Sequence, residues 1–306
     1  MYYRPNNLYT LDHLLSMAEK GGYAIGAFSP RWTPVIKTIF QTAQELSSPV
    51  IIQIAQVELS WFETTLANFA HDFWELVEKE PPAVPFGLHL DHTQDFELIK
   101  EAIALGFTSV MIDASAMSFE ENIHITRRVV DYAHARGVSV EAELGKIGSA
   151  DQLESESLSD EELFTDPQEA EAFVEETGVD ALAVSVGTAH GVYTVRQPRV
   201  DVERIKAIRA RTPVHLVLHG GSGTPKELIH PAIQLKGGGI SKINIATDLE
   251  LAFLEALGKK DRLVQENVMK VPVNQLAPAL KAVSEVVKEK IIHTLESQNH
   301  TGDFKL

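Results

Sequence analysis

Three histidines and a set of carboxylates fall where side chains from distant parts of the chain could meet. The stretch FGLHLDHTQ (86–94) puts His89, Asp91 and His92 within four positions, at the end of an apolar, β-rich run. GTAHG brings in His190 after a second such run, and HGGSG opens with His219 after a third. Neutral imidazole is a good ligand for zinc, and three protein ligands with one open position make a catalytic site. A carboxylate beside such an ion, here Asp91, is suited to moving a proton. The competing reading is a group of hydrogen-bonded core histidines, with His89 in a packing or supporting role.

Other polar residues share this placement. Asp113 sits in SVMIDAS, and Glu141 and Glu143 alternate along SVEAELG; these carboxylates belong either to the site or to helix caps and structural ion pairs. HGGSG (219–223), followed by Thr224 and Pro225, has the features of a phosphate cradle. Its glycines let backbone N–H groups approach an anion, and a helix starts at once. Ser222 and Thr247 add hydroxyl donors. Asn244 closes ISKIN, just before Ala246 and Thr247.

The elements that must position these residues follow one rhythm. Short apolar runs at 23–28, 49–55, 86–91, 109–115, 139–145, 181–187, 214–220 and 240–246 alternate with helical patterns. Continuous apolar runs are expected of parallel strands buried on both faces. Eight strand–helix units predict an α/β chain folded as a single (β/α)8 TIM barrel over 1–306, with an additional C-terminal helix over about 276–295. No GxGxxG follows the first strand, which argues against a doubly wound dinucleotide fold. One helix is expected over about 60–78. The long Gly-, Ser- and acid-rich stretch after the fifth strand, about 145–166, is expected to be a mobile active-site loop. The tail, about 297–306, is expected to fray.

Composition narrows the partners. The chain has 27 Lys and Arg against 43 Asp and Glu, a formal charge of −16, and no local basic cluster. That field repels a nucleic-acid backbone. An anionic substrate would have to be held by local N–H groups and helix N-termini. No run of about 18 apolar residues provides a membrane span, and the first residues show no leader pattern; a cytoplasmic location is expected. The absence of cysteine limits any zinc to His, Asp or Glu.

The motifs LHLDHT, GFTSVMIDAS, FEENI, GVSVEAELG, TDPQEA, TGVDALAVSVGTAHGVY, LVLHGGSG and KINIATDLELAF, in order over roughly 10–295, resemble the class II, metal-dependent ketose-bisphosphate aldolases. The resemblance implies a zinc-dependent carbon–carbon lyase. Such an enzyme cleaves or forms a ketose 1-phosphate or ketose 1,6-bisphosphate, giving dihydroxyacetone phosphate and an aldehyde through a metal-stabilised enediolate. It implies zinc on His92, His190 and His219, Asp91 as acid/base, and Asn244 orienting the dihydroxyacetone phosphate part. Gly191, Gly220, Ser222, Ala246 and Thr247 match phosphate-contacting positions. Asp113 and Glu143 match a second, displaced metal position, and a monovalent cation (Na+ or K+) is implied near the glycine loops. A homodimer or homotetramer is the implied assembly.

The chain also departs from the family text. Where the family loop carries GG-x-E-D-G, this chain reads GSADQL, so Asp151 stands at the catalytic Glu position, with Glu154 and Glu156 as further loop carboxylates. GAFNVNN becomes GAFSPRW, bringing in Arg31, and an Arg that meets the second phosphate becomes Val273. These changes predict either an aldehyde half that is not phosphorylated or an anion contact from Arg31. Two other readings stand beside the zinc aldolase. A Schiff-base aldolase would need Lys242, and a catalytically weak aldolase-like subunit would stabilise a partner aldolase.

Overall fold

Valine, isoleucine and leucine in short runs with few turn residues favour strands covered on both faces. A computed structural model of the chain describes residues 4–145, 147, 163–191 and 197–304, and these runs form eight strands. They are β1 (Ile25–Phe28), β2 (Val50–Ala55), β3 (Phe86–Thr93), β4 (Ser109–Ile112), β5 (Ser139–Leu144), β6 (Ala181–Val184), β7 (His215–Leu218) and β8 (Ile240–Ile245). Each pairs in parallel with the next, and β8 closes on β1. The architecture is a TIM barrel. The predicted C-terminal helix is present at Val273–Glu289.

Alternation along each strand divides the core into two. One side chain set packs outward against the helices, with Phe73, Phe86, Phe107 and Phe173 among its fully buried members. The other points into the barrel. On β1, β2, β4, β6 and β7 it is small and apolar: Ile25, Ala27, Ile51, Met111, Ala181, Ala183 and Val217, packed with Leu11, Leu14 and Leu15 of helix Leu11–Gly21. Beside them β2, β3, β5 and β8 carry Gln53, His89, Asp91, Glu141, Glu143, Lys242 and Asn244, all buried. The interior thus holds a buried polar set among small apolar residues, and barrel chemistry gathers at the C-terminal ends of such strands.

Two expectations are corrected in detail. The segment predicted as one helix over 60–78 is two, Gln56–Trp61 and Leu66–Lys79. Glu63 takes a positive φ of 50°, and Thr65 caps the second helix by accepting from the Asn68 N–H. The tail predicted to fray packs back over 297–304. Ser297 Oγ lies 2.8 Å from Ser48 Oγ, the Asn299 and Thr301 N–H groups donate to Leu46 and Ser47 carbonyls, and Phe304 is buried against Tyr9. Those tertiary partners satisfy the backbone groups that a free tail would leave to water. Most of the expected 145–166 loop, with Asp151, Glu154 and Glu156, lies outside the described residues.

Candidate active site and metal centre

Asp91 and His92 are neighbours on β3, and in a regular strand they would face opposite sides of the sheet. The β3–β4 register shifts between Leu90 and Thr93, and His92 takes φ 36°. This irregularity re-aims the strand end, and both side chains line one cavity of about 550 Å3 at the barrel mouth. The left-handed conformation of a non-glycine residue is costly, and such outliers cluster at functional sites.

The three predicted histidines converge. His92 Nε2 and His190 Nε2 are 3.1 Å apart, and ligand atoms of His92, His190 and His219 lie within 4.8 Å of one another. Two imidazole nitrogens bound tetrahedrally to one zinc at ~2.0–2.1 Å would sit roughly 3.3 Å apart. Two of the rings are oriented from behind. His92 Nδ1 lies 3.0 Å from Asp113 Oδ2, whose Oδ1 accepts from the Ser115 N–H and hydroxyl. His219 Nε2 lies 2.9 Å from Glu141 Oε1, and its buried Nδ1 makes no hydrogen bond and lies 3.3 Å from Glu143 Oε2. A carboxylate behind a ligating imidazole fixes its tautomer and raises its basicity. The Thr188 hydroxyl donates to the His219 carbonyl, tying the His190 loop to the end of β7.

The electrostatics suit a cation at this point. Burial pulls the His190 imidazole well below its usual range, and the charges of His92 and His219 add to that, so it stays a neutral donor. Burial opposes charge on His92 as well, but Asp91, Asp113 and Glu143 prevail and push it up to about 10. Burial raises the Glu143 carboxyl, the more so beside Asp113. His219 Nδ1 and Glu143 Oε2, buried, 3.3 Å apart and without a hydrogen bond, fit a divalent metal together with the clustered rings. His92, Asp113 and Glu143 form a second group with ligand atoms within 4.8 Å of one another.

Asp91 is 4 % exposed, and it accepts from Gln53 Nε2 at 3.1 Å and from Asn244 Nδ2 at 3.1 and 3.2 Å. Burial opposes its charge, yet His92, His89, Lys242 and His219 outweigh that and hold its carboxyl well below the usual range. With their amino groups spent on Asp91, Gln53 Oε1 and Asn244 Oδ1 remain buried, unpartnered acceptors. Both residues line the cavity, so these oxygens can receive substrate hydroxyls. Lys242 Nζ is 2.8 Å from Glu141 Oε2 and fully buried, and Lys242 is not among the cavity-lining residues. Burial works against the Glu141 carboxylate, but Lys242 and His219 bring it down to about 2.

Gly191, Gly220, Ser222, Ala246 and Thr247 line the same cavity. At Gly220, with φ 69°, a Cβ would overlap the Ala189 backbone, so only glycine permits the approach. Ser222 Oγ accepts from the Ala246 and Asp248 N–H groups, fixing the turn against the start of helix Thr247–Ala256. Helix N-termini of this kind favour anions.

Arg31 also lines the cavity, with φ 65°. It pairs with Glu58, and its Nε is 3.2 Å from Glu250 Oε2. Val273 is 80 % exposed at the start of its helix, away from the cavity lining. Sequence reading did not single out Gln53, Glu58, Glu250 or Arg262 for the site. Gln53 left a signal, as the lone polar residue in VIIQIA. The other three left none, because their pairing is set only by the fold.

A barrel with three histidines and a buried aspartate at its mouth fits a metal-dependent enzyme, and the comparisons give its class. Residues 9–300 match the family described as fructose-bisphosphate aldolase class-II, and the chain belongs to that family. It is 37 % identical to a fructose-bisphosphate aldolase of Giardia intestinalis, covering 98 % of this chain and 96 % of that one. It is also 37 % identical to one of Staphylococcus epidermidis, with 93 % and 96 % covered. The crystal structure of the YdjI aldolase from Escherichia coli K12 superposes with a TM-score of 0.80 at 35 % identity, covering 96 % of this chain and 99 % of that one. The chain is thus a class II aldolase, a lyase of a metal-dependent family that acts on sugar phosphates. The aldolase reading prevails over a partner-stabilising subunit. No helix among the described residues is long and apolar enough to cross a membrane.

Proposed function

We propose that the chain uses zinc, held by His92, His190 and His219, to cleave a ketose 1-phosphate or ketose 1,6-bisphosphate into dihydroxyacetone phosphate and an aldehyde. The observation that carries this is the convergence of three imidazoles, one with a buried nitrogen that makes no hydrogen bond, beside the carboxylate of Asp91. The bound ion would supply Lewis-acid charge where negative charge develops as the carbon–carbon bond breaks. Asp91 takes the proton of the C4 hydroxyl on cleavage and returns it to the aldehyde oxygen on condensation. Gln53 and Asn244 hold its carboxylate in place from two sides. Asn244 Oδ1 receives a hydroxyl of the dihydroxyacetone phosphate part.

The phosphate of that part rests on Gly191, Gly220, Ser222, Ala246 and Thr247, where backbone N–H groups offset the net negative charge of the chain. A monovalent cation, Na+ or K+, beside these loops completes the cradle. Asp113 and Glu143 offer a second position to the metal. Asp151 serves the proton at the nucleophilic carbon. We take residues 1–306 to be one domain, working in the cytoplasm as a homodimer or homotetramer.

Release of dihydroxyacetone phosphate from a panel of ketose phosphates, with and without chelator, tests this reading. Zinc-restored, chelator-sensitive release supports it; release that survives exhaustive chelation contradicts it.

A further inference from the structure

The cavity continues past Asp91 over the ends of β1 and β2, and there its charges cancel. Among the described residues lining it, the permanent cations are Arg31 and Arg262. Arg31 is buried and held between Glu58 and Glu250. Arg262 grips the same Glu250 with two contacts, Nε at 2.6 Å and Nη2 at 3.2 Å from its carboxylate oxygens, and its guanidinium lies 4.3 Å from the Trp61 ring centre. Two guanidiniums and two carboxylates leave this region neutral. Arginine recognises a phosphate through parallel N–H pairs; here the Nε–Nη2 edge of Arg262 is taken by Glu250, and Arg31 is ion-paired to both carboxylates. The quartet is also built rather than incidental, since Glu58 additionally accepts the Ala55 N–H and Arg31 is held at φ 65°.

The remaining surface is apolar and open. Trp61 is 42 % exposed and Leu251 48 % exposed, and both line this part of the cavity. Exposed apolar groups gathered in a cleft mark a binding surface. An aromatic face accepts the C–H side of a carbon chain, while the carboxylates of Glu58 and Glu250 accept its hydroxyls.

We infer that Arg31, Glu58, Glu250 and Arg262 form a neutral specificity element that selects an uncharged, hydroxylated aldehyde and disfavours one ending in phosphate. The inference rests on the aldolase reading above and narrows it to ketose 1-phosphates. A second phosphate would meet two carboxylates whose charge already balances that of the two arginines.

The test compares kcat/KM for zinc-loaded protein on fructose 1-phosphate and fructose 1,6-bisphosphate, followed as dihydroxyacetone phosphate release. The expected result is a preference of about tenfold or more for the monophosphate, as like-charge juxtaposition implies. Glu250→Gln leaves the two arginines in excess and is expected to move the ratio about tenfold towards the bisphosphate. Glu58→Gln is a second variant with the same expected direction. Preference for the bisphosphate in the unaltered protein, or an unchanged ratio in both variants, overturns the inference and leaves the aldolase reading intact. Release from no ketose phosphate overturns the reading beneath it.

Discussion

Glu141 Oε1 stands 2.9 Å from His219 Nε2, so the nitrogen of His219 that makes no hydrogen bond is Nδ1, 3.3 Å from Glu143 Oε2. Two strands, β5 and β7, that are not neighbours in the barrel thereby fix one tautomer of one imidazole of the cluster. Glu141 itself is anchored by Lys242 from β8 at 2.8 Å. The site is thus organised from below, by a buried ion pair that the cavity does not see.

Removing that orientation should weaken the metal site without emptying the cavity. Glu141→Gln is expected to lower zinc affinity about 10–100-fold, the usual cost of losing such a partner. Competition with a chromogenic chelator reads this directly, and an affinity equal to the unaltered protein would refute the role.

Lys242 has a separable, structural consequence. Lys242→Met removes the cation beside Glu141 and leaves a carboxylate in a fully buried setting. Breaking a buried pair from one side costs about 3–5 kcal/mol. Denaturant unfolding checks the loss. The sign of the pH dependence follows as well. Lys242 helps hold the Glu141 carboxyl down to about 2 in the folded protein, below the ordinary range. Stability from this source is therefore present above the unfolded pKa and is lost as pH falls through the folded value; in the variant, where the folded Glu141 carboxyl lies higher, that acid-side loss should be smaller.

Asp91 is the residue whose chemistry, rather than its packing, should matter most. Asp91→Asn keeps the size and can keep contacts to Gln53 and Asn244, but it cannot take a proton. Turnover is expected to fall about 10²–10⁴-fold, with zinc content retained. Loss of zinc together with activity would assign Asp91 to metal retention instead.

Gly220 tests the cradle. Its φ of 69° and the backbone of Ala189 exclude a side chain. Gly220→Ala is expected to cost about 1–3 kcal/mol in stability and to raise KM for the phosphate-bearing substrate more than it lowers kcat. A KM unchanged at full fold content would remove this turn from the phosphate site.

The barrel was legible because strands buried on both faces leave continuous apolar runs. The histidines were legible because His92, His190 and His219 each end such a run. What lay beyond reading depends on contacts between distant segments. No local pattern shows that a register shift turns Asp91 and His92 into the same cavity, and none pairs Arg31 with Glu58 and Glu250. The packing of 297–304 on Leu46, Ser47, Ser48 and Tyr9 is hidden for the same reason. The 60–78 stretch reads as one helix because its apolar residues recur at helical spacing, while the break rests on Glu63 at positive φ and the Thr65 cap.

Zinc K-edge absorption of the loaded protein probes the metal centre at its ligands. The account predicts three imidazole nitrogens at about 2.0–2.1 Å, falling to two in each of His92→Ala, His190→Ala and His219→Ala. A ligand shell that keeps all three imidazoles in any of these variants, or that contains none in the unaltered protein, would contradict it.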